Sequence, residues 1–282
     1  MTRTLVQHHT NAGPPPAVAS DTSARARDWA EIQERMLVPL YEAVHERLEV
    51  RAGTRLLGLG CGSGLALLMA TARGARVTGV DSDEELLTLA SARLAAPGSA
   101  SRPSGSVLPT SRMAEAALPG GVPYDVITAL QPIGCVAGDA KGLAPALDAA
   151  IPLAGRGAPV VLTGWGPPER CATAGVLRVA GRLADPLRKG GWRPAYRDDL
   201  EEVAARAGLK PDGSGRVSCP FGYADTESAV RGLLSTGVFD GAVRAVDRRQ
   251  VEKEIAEALH PHVRKDGTVW MPNVFRYLIA RT

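Results

Sequence analysis

Apolar residues recur at helical spacing from Asp28 to Val50 (Trp29, Ile32, Met36, Leu37, Leu40, Val44, Leu48), which predicts one or two helices. From Thr54 the period changes. Thr54 to Leu59 reads as a strand, Gly64 to Arg73 as a helix, Arg76 to Asp81 as a strand and Glu84 to Leu94 as a helix, a βαβ unit whose crossover is right-handed. Tyr124 to Leu130 and Ala158 to Gly164 read as further strands separated by a helix over Gly142 to Leu153. A short strand is expected near Ser106 to Leu108, inside the Ser/Pro/Gly-rich stretch from Pro97 to Pro109. Beyond Gly164 come a helix over Asp198 to Ala207, a strand over Gly215 to Tyr223, a mainly helical stretch from Thr226 to Val263, and a last strand over Thr268 to Ala280.

This order predicts an α/β fold: a doubly wound, mostly parallel seven-stranded sheet with N-terminal helices and a helical cap inserted before the last strand. The expected divisions are a disordered tail over 1–25, a helical cap over 26–52, a cofactor-binding core over 53–225, a helical insertion over 226–265 and the closing strand over 266–282. The tail rests on Asn11 to Ser20, with its three consecutive prolines Pro14 to Pro16.

Composition narrows the function. A chain of 282 residues with 45% hydrophobic content can fill one large core. Its 33 Lys and Arg nearly balance 30 Asp and Glu, with no basic block to track a phosphate backbone, so no nucleic-acid partner is expected. Cys61, Cys135, Cys171 and Cys219 are too scattered for a disulfide framework or a zinc site, and no run reaches the roughly 20 apolar residues of a membrane span. With no apolar leader at its start, the chain reads as a cytoplasmic protein, monomeric or homodimeric, without a membrane or metal partner.

The chemistry concentrates at Gly58-Leu-Gly-Cys-Gly-Ser-Gly64, between a strand and a helix. Alternate glycines let the backbone turn sharply and press against a ligand with no Cβ in the way. The nicotinamide fingerprint G-x-G-x-x-G fails, because its third glycine would fall on Ser63 or Leu65, whereas G-x-G-x-G is satisfied. Seventeen positions after Gly64, Asp81 ends the apolar strand Ala75 to Val80, where a carboxylate can accept both ribose hydroxyls of an adenosine. It can equally cap the next helix, since Ser82 and Glu85 have capping-box spacing.

Arg55 to Gly64, then Val77-Thr-Gly-Val-Asp81, then Tyr124-Asp-Val-Ile-Thr128 resemble, in order and spacing, the successive motifs of class I S-adenosylmethionine (SAM) methyltransferases. The resemblance runs from about Trp29 to Gly164 and is nearest the ubiquinone-methyltransferase-like, small-molecule group. Trp165 to Arg170 and Asn273 to Tyr277 look like its actinobacterial natural-product branch. It implies a Rossmann-like core, SAM as cofactor, and a cofactor-binding set of Gly58, Gly60, Cys61, Gly62, Gly64, Asp81, Ser82, Met113, Ala114 and Gln131.

Three positions depart from that group. Gly58 stands where relatives carry an acid, and a lost charge-assisted hydrogen bond costs about 1.5–3 kcal/mol, or roughly 10- to 150-fold in affinity. Ser111 to Glu115 lacks the usual Asp before the fourth strand, with Glu115 a substitute if the loop shifts by one residue, and Gln131-Pro-Ile-Gly134 is less polar than usual. Three functions therefore stand: methyl transfer to a small metabolite, a non-methylating cyclisation or rearrangement on the same fold, and a silent partner-binding subunit. His260 and His262 are candidates for a general base and Glu169 for a substrate-facing group, each equally readable as solvated surface. Trp29 and Tyr41 are read as core residues or as side chains closing over a ligand. Cys61 reads as a small buried filler.

Overall fold

The computed structural model describes residues 17–95, 109–134, 140–184 and 199–282. Helix α1 (Ala17–Asp28) leads through a π turn (Trp29–Gln33) and a 3₁₀ turn (Glu34–Leu37) into α2 (Val38–Arg47). A helix therefore already runs from Ala17, within the stretch expected to be a tail. The βαβ unit is next, as β1 (Arg55–Leu59), α3 (Leu65–Ala72), β2 (Arg76–Val80) and α4 (Glu84–Ala95). Then come β3 (Val126–Ile133), α5 (Leu143–Ala150), β4 (Pro159–Trp165), α6 (Thr173–Ala184), α7 (Asp199–Arg206), β5 (Lys210–Ser218) and β6 (Phe221–Tyr223). Helices α8 (Thr226–Ser235), α9 (Asp240–Ala245) and α10 (Arg248–Leu259) precede β7 (Val269–Met271) and β8 (Val274–Arg281).

The sheet order is β2-β1-β3-β4-β8-β5, with β8 antiparallel to both neighbours. Six strands, not the expected seven, form it among the described residues. The segment Ser106 to Leu108 lies outside them; just after it, Thr110 makes a single parallel bridge to Val80 at the β2 edge. Successive residues serve opposite faces, as the strand period demands. Leu56 packs with Leu67 and Leu87 of α3 and α4, while Leu57 packs with Leu147 of α5 and Val203 of α7. Val161 likewise joins Leu40, Tyr41 and Val44 of α2, and its neighbours Val160 and Leu162 join the α5–α7 side.

Gly58 and Gly79 face each other across β1 and β2, and Leu67 of α3 fills the slot they leave. A Cβ at Gly58 would lie 2.9 Å from Leu67 Cδ2, and one at Gly79 2.6 Å from Cδ1. A side chain at position 58 would therefore require the Leu67 side chain to shift.

Each of the two C-terminal strands expected from sequence breaks in two. Pro220 and Pro272 cannot donate to a ladder, so the chain leaves the main sheet at both and makes a separate β6–β7 ribbon. Buried Asn273 fixes the break: its side chain donates to Thr173 Oγ1 (2.9 Å) and accepts from Thr173 N–H (3.2 Å) at the start of α6. Helix α6 itself has no counterpart among the expected elements. Its buried face of Val176, Leu177, Val179 and Ala180 packs against α9 and α10, and Gly175 and Gly181 dilute its apolar period.

Candidate cofactor and substrate cleft

The turn after β1 runs in left-handed backbone at Gly60 (φ 60°), Gly62 (φ 55°) and Gly64 (φ 78°), conformations that side-chain-bearing residues resist. Gly64 also meets α4: a Cβ there would stand 2.9 Å from Ala90 Cβ. Above Gly60, the first neighbour a Cβ would meet is Gln131 Cγ at 3.8 Å, so that face of the turn is a cradle. The Cys61 thiol is buried, and desolvation pushes its pKa far up, with the Asp81 charge adding to the shift. It is protonated filler with no nucleophilic character.

Asp81, at the end of β2, accepts from Gly62 N–H through Oδ2 (2.8 Å) and from Asp83 N–H through Oδ1 (3.0 Å). The cap of α4 is Asp83, whose Oδ1 accepts from the N–H groups of Glu85 (3.0 Å) and Leu86 (3.1 Å). The capping role open to Asp81 and Ser82 thus falls one residue further on, and Asp81 is left bracing the glycine turn at the cleft wall.

Two cavities meet at Asp81, Gln131 and Ile133. One, about 460 Å³, is bordered by Gly60, Ser82, Met113 and Ala146. The other, about 380 Å³, runs from Trp29 to an aromatic cluster of Trp165, Phe221 and Phe275. In that cluster Trp165 lies 4.6 Å from Phe275 and 5.9 Å from Phe221, centroid to centroid. The titratable groups on its wall are Arg25, Asp81 and Asp83. Arg25 is held by Asp240 (3.0 Å), which ties α1 to α9 beside the cavity mouth.

A third, small cavity of about 20 Å³ lies under the turn between Gly58, Gly60 and Cys61, closed by Glu34, Tyr41 and His45. That is room for about one water molecule. His45 is fully buried and neither ring nitrogen has a partner among the described residues. Burial, with a smaller contribution from Arg73, lowers its pKa to about 4.

Of the residues expected from sequence, Gly60, Asp81, Ser82, Met113 and Gln131 border the two large cavities, and Gly58 and Cys61 border the small one. Gly62 and Gly64 shape the turn. Ala114 is exposed and borders none of the three cavities, and Glu115 is engaged with Thr110 Oγ1 (2.6 Å) and Arg112. His260 and His262 sit in a 3₁₀ turn after α10 and Glu169 is exposed in the turn after β4; all three are off the cavities. His260 and Glu169 are exposed, and His262 is half-buried, its pKa lowered by desolvation. Sequence reasoning missed Gln33, Phe221 and Thr173, which the tertiary fold brings to the cleft, and Glu34, which it brings to the small cavity.

A glycine turn, an acid ending the second strand and a cleft at the carboxyl ends of the strands are the features with which doubly wound sheets hold adenosine-containing cofactors. A methyltransferase domain family model matches residues 57–121. A SAM-dependent methyltransferase from Thiobacillus denitrificans, solved with S-adenosyl-L-homocysteine, is 19% identical with a TM-score of 0.50, over 95% of this chain and 99% of that one. YjhP from E. coli is 19% identical with a TM-score of 0.52, over 92% and 99%, and YcgJ from Bacillus subtilis 16% identical with 0.50, over 86% and 98%. At these identities the likeness to solved structures is one of fold. No curated protein matches the chain by sequence. The chain thus carries a match to a methyltransferase domain over residues 57–121, on the fold of the class I SAM-dependent methyltransferases. Among the described residues no helix is long and apolar enough to cross a membrane.

Proposed function

We propose that the protein methylates a small, largely apolar metabolite of the kind assembled in natural-product pathways, by metal-independent in-line transfer. The carrying observation is the cavity of about 380 Å³ that shares Asp81 and Gln131 with the cofactor cleft and ends on Trp165, Phe221 and Phe275. In this reading the adenosine lies against Gly60, Ser82 and Met113, with Asp81 accepting the ribose hydroxyls. The acceptor lies across Gln131.

When bound, SAM supplies a methyl group activated by its sulfonium. The protein's part is alignment and water exclusion. Trp29, Leu37 and Leu177 wall the acceptor from solvent, and the aromatic cluster sets its depth. No histidine lines the cavity among the described residues, and the three titratable groups there are charged partners of backbone or side chains. The acceptor atom is therefore one whose lone pair is available without a dedicated base.

Calorimetric titration with SAM and S-adenosylhomocysteine, and then incubation of labelled SAM with a panel of apolar acceptors, tests this. Micromolar binding with label transfer is expected. Absence of binding at millimolar ligand overturns the reading, and binding without transfer to any acceptor would favour a non-methylating reaction on the same fold.

A further inference from the structure

The wall of the cavity of about 380 Å³ is largely apolar, so its few polar side chains set what it can hold in a fixed orientation. Thr173 Oγ1 accepts from Asn273 Nδ2 (2.9 Å), and the hydroxyls of Ser235 and Thr236 donate to the carbonyls of Gly232 and Leu233 (2.7 Å each). Arg25 is taken by Asp240, and Asp81 and Asp83 by backbone N–H groups. Trp29 Nε1 packs on the glycine turn, 3.1 Å from where a Gly62 Cβ would stand. Gln131 is exposed and meets the cavity where it opens on the cofactor cleft.

Gln33 differs from all of these. It ends the π turn, is 4% exposed, and of the three cavities lines this one alone. Its Oε1 accepts from the hydroxyl of Tyr223 (2.9 Å), a buried residue of β6 whose ring lies 6.4 Å from that of Phe221, centroid to centroid. Between those two rings in sequence, Gly222 N–H donates to Met36 Sδ (3.5 Å), so β6 grips the segment around the π turn at two points. With Oε1 held by Tyr223, Nε2 is left as a donor that makes no hydrogen bond among the described residues. It is not an enclosed orphan like Trp29 Nε1, so the little surface Gln33 keeps is where Nε2 meets the cavity. An amide N–H withdrawn from bulk water is stabilised when a ligand oxygen accepts from it.

We infer that Gln33 determines the specificity of the acceptor cavity, its Nε2 donating to the carbonyl oxygen of a ring-bearing ketone whose rings lie against Trp165, Phe221 and Phe275. Tyr223 is a positioning residue that acts through Gln33. The inference rests on the reading of this cavity as the acceptor site and adds a substrate class to it. The three aromatic rings, with centroids 4.6 to 5.9 Å apart, offer edges and faces to a fused ring system. A single N–H beside them selects among such systems for one that carries an accepting oxygen.

The test measures 2-acetylnaphthalene and 2-ethylnaphthalene, alike in shape but with a carbonyl in one where the other has a methylene, by equilibrium dialysis against the full chain with S-adenosylhomocysteine present. Gln33→Met, which keeps the reach of the side chain and removes the amide, should weaken binding of the ketone about 3- to 10-fold, the factor of one neutral hydrogen bond, and leave the hydrocarbon bound at least as well. Tyr223→Phe should weaken the ketone by a smaller factor, again without loss for the hydrocarbon, a split that loosened packing does not produce. An equal fall for both probes would reduce Gln33 to packing and overturn the inference. An unchanged ketone affinity, or binding of neither probe by the native protein at their solubility limits, would overturn it as well. If Gln33→Met does not fold, the native protein decides: the carbonyl stretch of bound 2-acetylnaphthalene, isotopically labelled at that carbon, should lie below its position in hexane, and an unshifted band overturns the inference. Loss of ketone preference in Gln33→Met by a protein that neither binds S-adenosylhomocysteine nor transfers label fails the methyltransferase reading and leaves the donor in place, whereas label transfer with no effect of Gln33→Met on the ketone fails the donor alone.

Discussion

The two sides of the cleft are built from different materials. On the turn side, residues 58–83 supply nearly everything: three left-handed glycines, a strand-end carboxylate and its backbone donors, all within one βαβ unit. On the acceptor side the wall is assembled from side chains of α1, the π turn, β4, α6, β6, α8 and β8, drawn from residues 25 to 275. A backbone-built site is fixed by local conformation and tolerates little change. A side-chain-built wall can be re-cut residue by residue without disturbing the turn, which is what a fold serving many acceptors requires.

The strongest way to break this contrast is Gly64→Val. A β-branched residue at φ 78° costs about 1–2 kcal/mol, and its Cβ would stand 2.9 Å from Ala90, adding about 1–3 kcal/mol of overpacking. Urea unfolding should show a loss of about 3 kcal/mol; a loss under 1 kcal/mol would mean that the turn is not backbone-determined.

His45, under the turn, sharpens the same side. Its pKa is depressed in the fold, so the neutral form is the folded one and unfolding takes up a proton below pH 6.5. Stability from this group is therefore intact at neutral pH and is lost as pH falls from about 6.5 toward 4, by about 2 kcal/mol between pH 7 and 5. Urea unfolding of the native protein and of His45→Leu at both pH values isolates the effect as the difference between them.

Asp81→Ala removes a group that belongs to both sides. Its S-adenosylhomocysteine affinity should fall 10-fold or more, about 1.4 kcal/mol by calorimetry; unchanged affinity would reduce Asp81 to a brace for Gly62 N–H. The smallest expected effect is the most selective: Phe221→Leu should leave S-adenosylhomocysteine binding within twofold and raise the KM for an apolar acceptor several-fold, equivalent to about 1 kcal/mol. An equal change in both would tie the aromatic cluster to the cofactor.

Legibility in the sequence divides along the same line. The βαβ unit and Gly58 to Asp81 were readable because strand period, helix period and glycine spacing are local signals, and the structure sets β1, α3, β2 and α4 within a residue or two of the expected bounds. Glu34 was not. It falls in a run of apolar residues at 3.6 spacing, but Trp29 to Gln33 form a π turn, with Glu34 N–H donating to the carbonyl of Trp29, five residues back. That wider turn changes the angular phase of the residues after it and points a carboxylate inward where a regular helix gives no reason to expect one. Likewise, the Pro220 and Pro272 breaks were visible as residues, but the ribbon they create, which brings Phe221 to the cavity, needs both strands at once.

The sequence by itself determined the layered α/β architecture, the turn between β1 and α3, and Asp81 at its flank, because each depends on contacts a few residues apart. Only the tertiary structure decided that Gly58 makes room for Leu67, that Asp83 caps α4, that His260, His262 and Glu169 lie off the cleft, and that Glu34 and Trp29 converge on Gly62. Those outcomes turn on the rotation of one element against another, which packing fixes and no local period encodes.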